Sequence, residues 1–124
     1  MEGAKINLHT LGQRGEALAA EFLKAKGFEI LAQNYRCGRN EIDLIAKRNN
    51  VISFVEVKTR RSYEFGHPAE AVTKSKQREI AKAALCYIER AAHQGVTYRF
   101  DVVAVMLHHT PPAIELIEDA FRIF

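Results

Sequence analysis

Four ionisable residues, Glu41, Asp43, Glu56 and Lys58, lie in two mainly apolar runs, 41–48 and 51–58, separated by Asn49-Asn50. If Asn49-Asn50 forms a two-residue turn, which Asn tolerates because it accepts positive φ, Arg48 faces Val51 and the pairing counts back from there. Asp43 then lies opposite Glu56, and Glu41 opposite Lys58. Side chains alternate along a strand, so these four groups are expected on one face with Ile45, Ile52 and Phe54, while Ile42, Leu44, Val55 and Val57 line the other. Three acids and one ammonium would meet on an otherwise apolar hairpin.

Directly opposed strand residues sit roughly 4.5–5.5 Å apart at Cβ, and like charges at that distance repel. A cation or a shared proton relieves the repulsion. Mg²⁺ favours one or two carboxylates completed by water and substrate phosphate oxygens, so Asp43 and Glu56 are its candidate ligands, with Mn²⁺ able to substitute. Lys58 would face the phosphate or the attacking water. Glu41 is a second candidate acid, whose pairing with Lys58 would hold the lysine in place. The plainer account is a solvated strand end carrying a Glu56–Lys58 ion pair.

Helix and strand patterns supply the frame. Leu11, Leu18, Ala19, Phe22 and Leu23 recur at helical spacing from Leu11 to Lys26, and Gly27 is a natural stop. Within that helix Glu16 has Ala19, Ala20 and Leu23 at i+3, i+4 and i+7, which turns its carboxylate toward the covered side; a surface Glu favoured by the helix dipole is the other reading. Phe28 to Asn34 is expected as the first strand. The loop Tyr35 to Asn40 holds Arg36 and Arg39, which could clamp phosphate or simply serve solubility. Thr59 to Thr73 lacks periodicity and carries Arg60 and Arg61 with aromatic neighbours, as expected of a flexible loop beside a site.

A second helix is expected from Ser75 to Ala92, ended by Gly95, with Ile80, Ala81, Ala84, Leu85, Ile88 and Ala91 as its buried stripe. Lys74, Lys76 and Arg78 crowd its start, the end where the dipole prefers acids. A phosphate backbone laid there would turn that conflict into attraction. Gln77, on the face of Ile80, could reach the site. Arg99 to Met106 then reads as a buried strand, parallel to its neighbour because a helix crosses over between them. Asp101 within it needs a partner, for which Arg99 or an arginine from the loops would serve, and is read as structural. Pro111-Pro112 breaks the chain, Ile114 to Ile117 adds an edge strand, and Glu118 to Phe124 forms a short amphipathic tail.

An acid, a spacer and then Glu-x-Lys on adjacent strands resembles the PD-(D/E)XK nuclease superfamily. The wider pattern resembles the YraN-like bacterial family, from about Gly12 to Phe121. That likeness rests on Gly15-Glu16, Asn34-Tyr35-Arg36, Glu41 to Ile45, Phe54 to Arg60, Phe65-Gly66, Lys76 and Arg99 to Val103. Ile42 stands where the superfamily name has Pro. The resemblance implies a fold like that of archaeal Holliday-junction resolvases, with Asp43 and Glu56 as metal ligands, Lys58 as catalytic lysine and Glu16 as accessory acid. Similar folds also serve as binding modules.

The expected architecture is α/β, a restriction-endonuclease-like core with a mixed central sheet flanked by helices in the order helix, three strands, helix, strand. Residues 1–10 are expected as a flexible arm and 11–124 as one domain. At 124 residues and 48% apolar composition the chain has enough for one core. Its apolar runs fall far short of the roughly 20 residues of a membrane span, and no charged-then-apolar leader opens it, so a soluble cytoplasmic protein is the expectation. Cys37 and Cys86 form no CxxC pair and are read as free thiols. The net charge of +3 permits nucleic-acid binding without demanding it.

Other chemistries fit less well. The five histidines lack zinc spacing with either cysteine. Opposed carboxylates with a lysine suit a metal better than a sugar ring, and Gly12-x-x-Gly15 follows no strand. The function expected is a Mg²⁺-dependent phosphodiester hydrolase acting on structured or branched DNA, with RNA as the alternative nucleic acid. The bound ion would make water a better nucleophile and stabilise the pentavalent phosphate. The alternatives are a non-catalytic nucleic-acid-binding module, binding through Arg60, Arg61, Lys74, Lys76 and Arg78, and a protein-interaction domain with an acidic partner. A homodimer is expected only by analogy, since symmetric cuts in branched DNA need two sites.

Overall fold

The computed structural model describes residues 8–62 and 72–123. Within them the chain forms α1 (Leu8–Ala25), β1 (Glu29–Cys37), β2 (Asn40–Arg48), β3 (Val51–Arg60), α2 (Lys74–Ala91), β4 (Thr97–Met106) and β5 (Ala113–Phe121). The strands make one sheet in the order β1-β2-β3-β4-β5. Only β3 and β4 run parallel, joined by the crossover through α2. This is the expected α/β architecture with a mixed sheet, the expected edge strand included. β5 runs well past the expected edge strand and absorbs much of the expected tail, with Asp119 at φ 54 marking the irregularity there.

Two cores hold the helices on the sheet. Ala19, Ala20 and Leu23 of α1 pack with Leu44, Ala46, Val55, Val103 and Val105. Ile80, Ala83 and Ala84 of α2 pack with Ile42, Ile45, Ile52, Phe54 and Phe100. At ~1.5–3 kcal/mol for each large side chain taken from water, these layers supply the main drive to fold. The helix boundaries differ from the sequence expectation in physical detail. α1 starts at Leu8, so residues 8–10 belong to the helix and the rest of the expected arm lies outside the described residues. The expected loop after Thr59 is strand as far as Arg60, and its central part, including Phe65-Gly66, likewise lies outside.

Thr73 caps α2, its hydroxyl accepting the Lys76 N–H at 3.1 Å. The helix ends at Ala92, a left-handed residue with φ 50, rather than at Gly95. Its buried stripe is also rotated from expectation, because Leu85 is 55% exposed and Ala91 is exposed while Ala83 is buried. Tyr87 sets that rotation: its ring packs edge-on against Tyr35 and Phe54, at 5.3 and 5.9 Å between centroids.

The same packing corrects the reading of the cysteines. Cys37 at the end of β1 and Cys86 on α2 form a disulfide, with Cα atoms 6.5 Å apart. That separation lies inside the range a disulfide spans. Their distance along the chain gave no sign of it; docking α2 over β1 and β2 creates the pair. Asp101 is structural, as read. Fully buried, it accepts from Arg99 Nε and Nη2 at 2.8 and 2.9 Å, from the Asp119 N–H at 2.8 Å and from Ser53 Oγ.

Candidate active site

The β2–β3 hairpin turns at Asn49, whose φ is 56, and Arg48 faces Val51. The ladder runs in the expected register back to Leu44 opposite Val55. There the regular pairing stops. Val57 N–H donates 2.8 Å to Asp43 Oδ2, so a carboxylate stands where a strand carbonyl would have accepted. The two strands fork at this point, and Asp43 sits in the fork.

A slip in the alternation produces the fork. Leu44 belongs to the core under α1, whereas both Ile42 and Ile45 belong to the core under α2. The expectation that Ile42 shares a face with Leu44 is therefore corrected: one residue of alternation is lost at Asp43. β1 loses it abreast of this point: Ala32 and Tyr35, an odd number of residues apart, both pack on the core under α2, with Asn34 between them at φ 49. The β1–β2 pairing meanwhile keeps register from Gln33–Leu44 to Tyr35–Ile42 and shifts only between Ile30 and Ala32. Strict period-2 counting fails wherever a bulge intervenes.

Glu56 follows the expected face and is buried, 7% exposed, with Lys58 Nζ 3.3 Å and Lys76 Nζ 3.9 Å from its Oε2. Lys58 is mostly covered and Lys76 is partly exposed. Lys76 comes from the first turn of α2, so the basic start of that helix reaches the acid across the fork. Glu41 departs from expectation. Its carboxylate is paired with Arg36 Nε at 3.2 Å, across the β1–β2 turn, and Lys58 is held by Glu56.

From the other side comes α1. Gly15 is buried, and a Cβ built there would overlap Thr59 Oγ1 and lie 2.9 Å from Thr59 Cβ. The helix therefore crosses close against the Thr59 side chain at the end of β3, which sets Glu16 beside the fork. Asn34 Nδ2 donates to Glu16 Oε1 at 2.9 Å. Burial pushes the Asp43 carboxyl up to about 7; the Glu56 carboxylate adds to that, the Val57 N–H opposes it, Glu16 raises it further and Lys76 lowers it. Glu56 of β3, Glu16 of α1 and Lys76 of α2 thus all act on Asp43 of β2.

The remaining sequence candidates surround this end of the sheet, where β2 begins and β3 ends. Arg36 and Arg39 flank the β1–β2 turn and are exposed. Arg60, donating to Thr59 O at 3.1 Å, and exposed Arg61 leave the end of β3. Lys74 and Arg78 lie exposed at the start of α2. Gln77 braces the approach to the helix, donating from Nε2 to Val72 O at 3.1 Å.

The donor chemistry suits a hard cation. Among the described residues no group of three or more His, Cys, Asp or Glu side chains is arranged to hold a metal ion. The protein's share would be the pair Asp43 and Glu56, a sparse set that leaves positions for water and phosphate, as Mg²⁺ prefers. Asp43, destabilised as an anion by burial and by two neighbouring acids, gains most from such an ion.

Three contributors escaped the sequence reading of the site: Asn34, Thr59 and Thr73. Two had a signal. Gly15 inside a helix is costly and asks for a close neighbour, and Asn is depleted in strands but tolerant of left-handed backbone.

The family model described as "Uncharacterised protein family UPF0102" matches residues 15–105, a span containing Glu16, Asp43, Glu56, Lys58 and Lys76. A UPF0102 protein of Chloroherpeton thalassium is 53% identical over 119 residues, covering 90% of this chain and 92% of the relative. One of Caldicellulosiruptor saccharolyticus is 47% identical over 118 residues, covering 94% and 100%, and one of Clostridium botulinum 45% over 116, covering 91% and 94%. With the match running from the α1–β3 crossing to the end of β4, the chain belongs to the UPF0102 family.

Proposed function

We propose that this protein is a divalent-metal-dependent endonuclease that hydrolyses phosphodiester bonds of structured or branched DNA, on a fold of the PD-(D/E)XK type. One observation carries the reading: a carboxylate, Asp43, fills the fork of two strands with its anion disfavoured, facing a buried Glu56 that is held by two lysines. A buried carboxylate whose anion is disfavoured by burial and by a neighbouring acid, as Asp43 is, gains from a cation at that place.

Asp43 and Glu56 would hold the ion, and Mg²⁺ or Mn²⁺ fits their chemistry. When bound, such an ion supplies charge stabilisation to the phosphate and makes water easier to deprotonate. Lys58, 3.3 Å from Glu56, would meet negative charge developing on the phosphate. Lys76 bridges the acid and the basic start of α2, where Lys74 and Arg78 extend the attraction to the DNA backbone. Arg36, Arg39, Arg60 and Arg61 widen this basic rim.

A second reading has its own observation. The Lys58–Glu56–Lys76 cluster balances Glu56 without a metal, as expected of a non-catalytic nucleic-acid-binding module that keeps the fold. A labelled four-way junction and a linear duplex, incubated with Mg²⁺ and with chelator, separate the two. The nuclease predicts junction scission in Mg²⁺ that falls about 10²–10³-fold in Lys58→Ala and is lost in Glu56→Gln. Salt-sensitive binding with a slope of about −0.9 per phosphate neutralised, without scission in Mg²⁺, would replace it with the module.

A further inference from the structure

Asn34 combines two observations that neither the ladder nor the core explains. It lies within β1 at φ 49, a conformation that L residues avoid and Asn tolerates. Its amide then donates to Glu16 Oε1 at 2.9 Å, joining an edge strand to the helix that crosses β3. The flanking rungs, Gln33 with Leu44 and Tyr35 with Ile42, put this residue abreast of Asp43. The break in β1 and the fork in β2 thus lie side by side, one turning an amide toward Glu16 and the other exposing a carboxylate.

We infer that Asn34 is a positioning residue, which uses its left-handed backbone and neutral amide to hold the Glu16 carboxylate toward a cation at the Asp43–Glu56 fork. This rests on the reading of the fork as a cation site. The residue type matches the task. A Lys or Arg at this position would neutralise Glu16, an Asp would repel it, and a Gly would accept the backbone but offer no donor. Asn alone among these orients the carboxylate through one oxygen and leaves its charge in the field that Asp43 experiences. The hydrogen bond is exposed, where it adds little to stability. Backbone strain placed beside an acid cluster for so small a return in stability is characteristic of functional sites.

A double-mutant cycle tests this, with Mn²⁺ affinity read by calorimetry in the presence of a short branched DNA whose scissile linkages are non-hydrolysable, and thermal midpoints recorded in chelator. Asn34→Gly keeps the backbone conformation and removes the donor. It should weaken Mn²⁺ binding about 10-fold, at the low end of what outer groups around a metal contribute, without lowering the midpoint. In a Glu16→Ala background the same change should have no further effect. Unchanged affinity in Asn34→Gly, a fall that multiplies with Glu16→Ala, or a midpoint that drops alongside affinity would each overturn the role given to Asn34 while leaving the fork intact. No Mn²⁺ binding in the wild type would overturn the cation site and Asn34's role with it.

Discussion

Replacing Asp43 with Asn should make the metal-free protein more stable at pH 8, although the residue lies in the candidate site and is hydrogen-bonded. The native carboxyl titrates at about 7 against an ordinary 3.8. Each unit of that difference is worth about 1.4 kcal/mol, so ionising Asp43 in the folded chain costs at most about 4 kcal/mol. Partial exposure in the fork reduces this to about 1–2 kcal/mol. Between about pH 4 and about pH 7 the native state holds a proton that the unfolded chain has released, so stability falls as pH rises through that window and levels off above it. Asn carries no charge and keeps an oxygen for the Val57 N–H.

Thermal melts of both proteins in chelator, taken from pH 4 to pH 8, read this directly. At pH 8 the variant should melt about 4–8 °C higher, and the gap should close toward pH 4. Added Mg²⁺ or Mn²⁺ should then raise the wild-type midpoint and leave the variant unmoved. A gap independent of pH, or a variant less stable at pH 8, would refute the reasoning, because Asp43 would then be a structural acceptor rather than an acid held against its preference.

Other perturbations have equally definite outcomes. Lys58→Ala should leave Mn²⁺ affinity within about threefold, since the lysine is no ligand, while strand scission falls by about 10² or more; a quantitative cleavage assay showing full activity would remove Lys58 from the mechanism. Asp101→Asn should cost about 3–5 kcal/mol in urea denaturation, because it leaves Arg99 without its bidentate partner in a buried setting, and should leave Mn²⁺ affinity unchanged. Gly15→Ala should lower stability by about 1–3 kcal/mol and weaken Mn²⁺ binding by displacing Glu16; Thr59→Ala in that background should recover part of both, since it removes the Oγ1 a new Cβ would strike.

The fold was legible because its elements announce themselves by period. Ala19 and Leu23 recur at helical spacing, Asn49-Asn50 marks a turn, and the β2–β3 register follows from that turn alone as far as Leu44 and Val55. The irregularities were not legible, and the site is built from them. Counting by twos placed Ile42 on the wrong face because the slip at Asp43 depends on a matching break at Asn34, one strand away. Glu41 was assigned to Lys58 by the same count, whereas the β1–β2 turn brings Arg36 to it. The disulfide needed the docking of α2, which an aromatic cluster around Tyr87 sets, and the expected stripe through Leu85 missed that rotation. Local pattern therefore specified which charges arrive at the fork, and long-range packing specified how they face.

The central claim is that Asp43 and Glu56 form a divalent-cation site. Calorimetric titration of Mn²⁺ into the wild type and into Asp43→Asn, each with a branched DNA that resists hydrolysis, tests it without requiring the right substrate for cleavage. The account predicts saturable binding in the wild type that disappears in the variant. DNA binding by both proteins with no Mn²⁺ uptake by either would contradict it and leave the acid cluster a structural feature of a nucleic-acid-binding module.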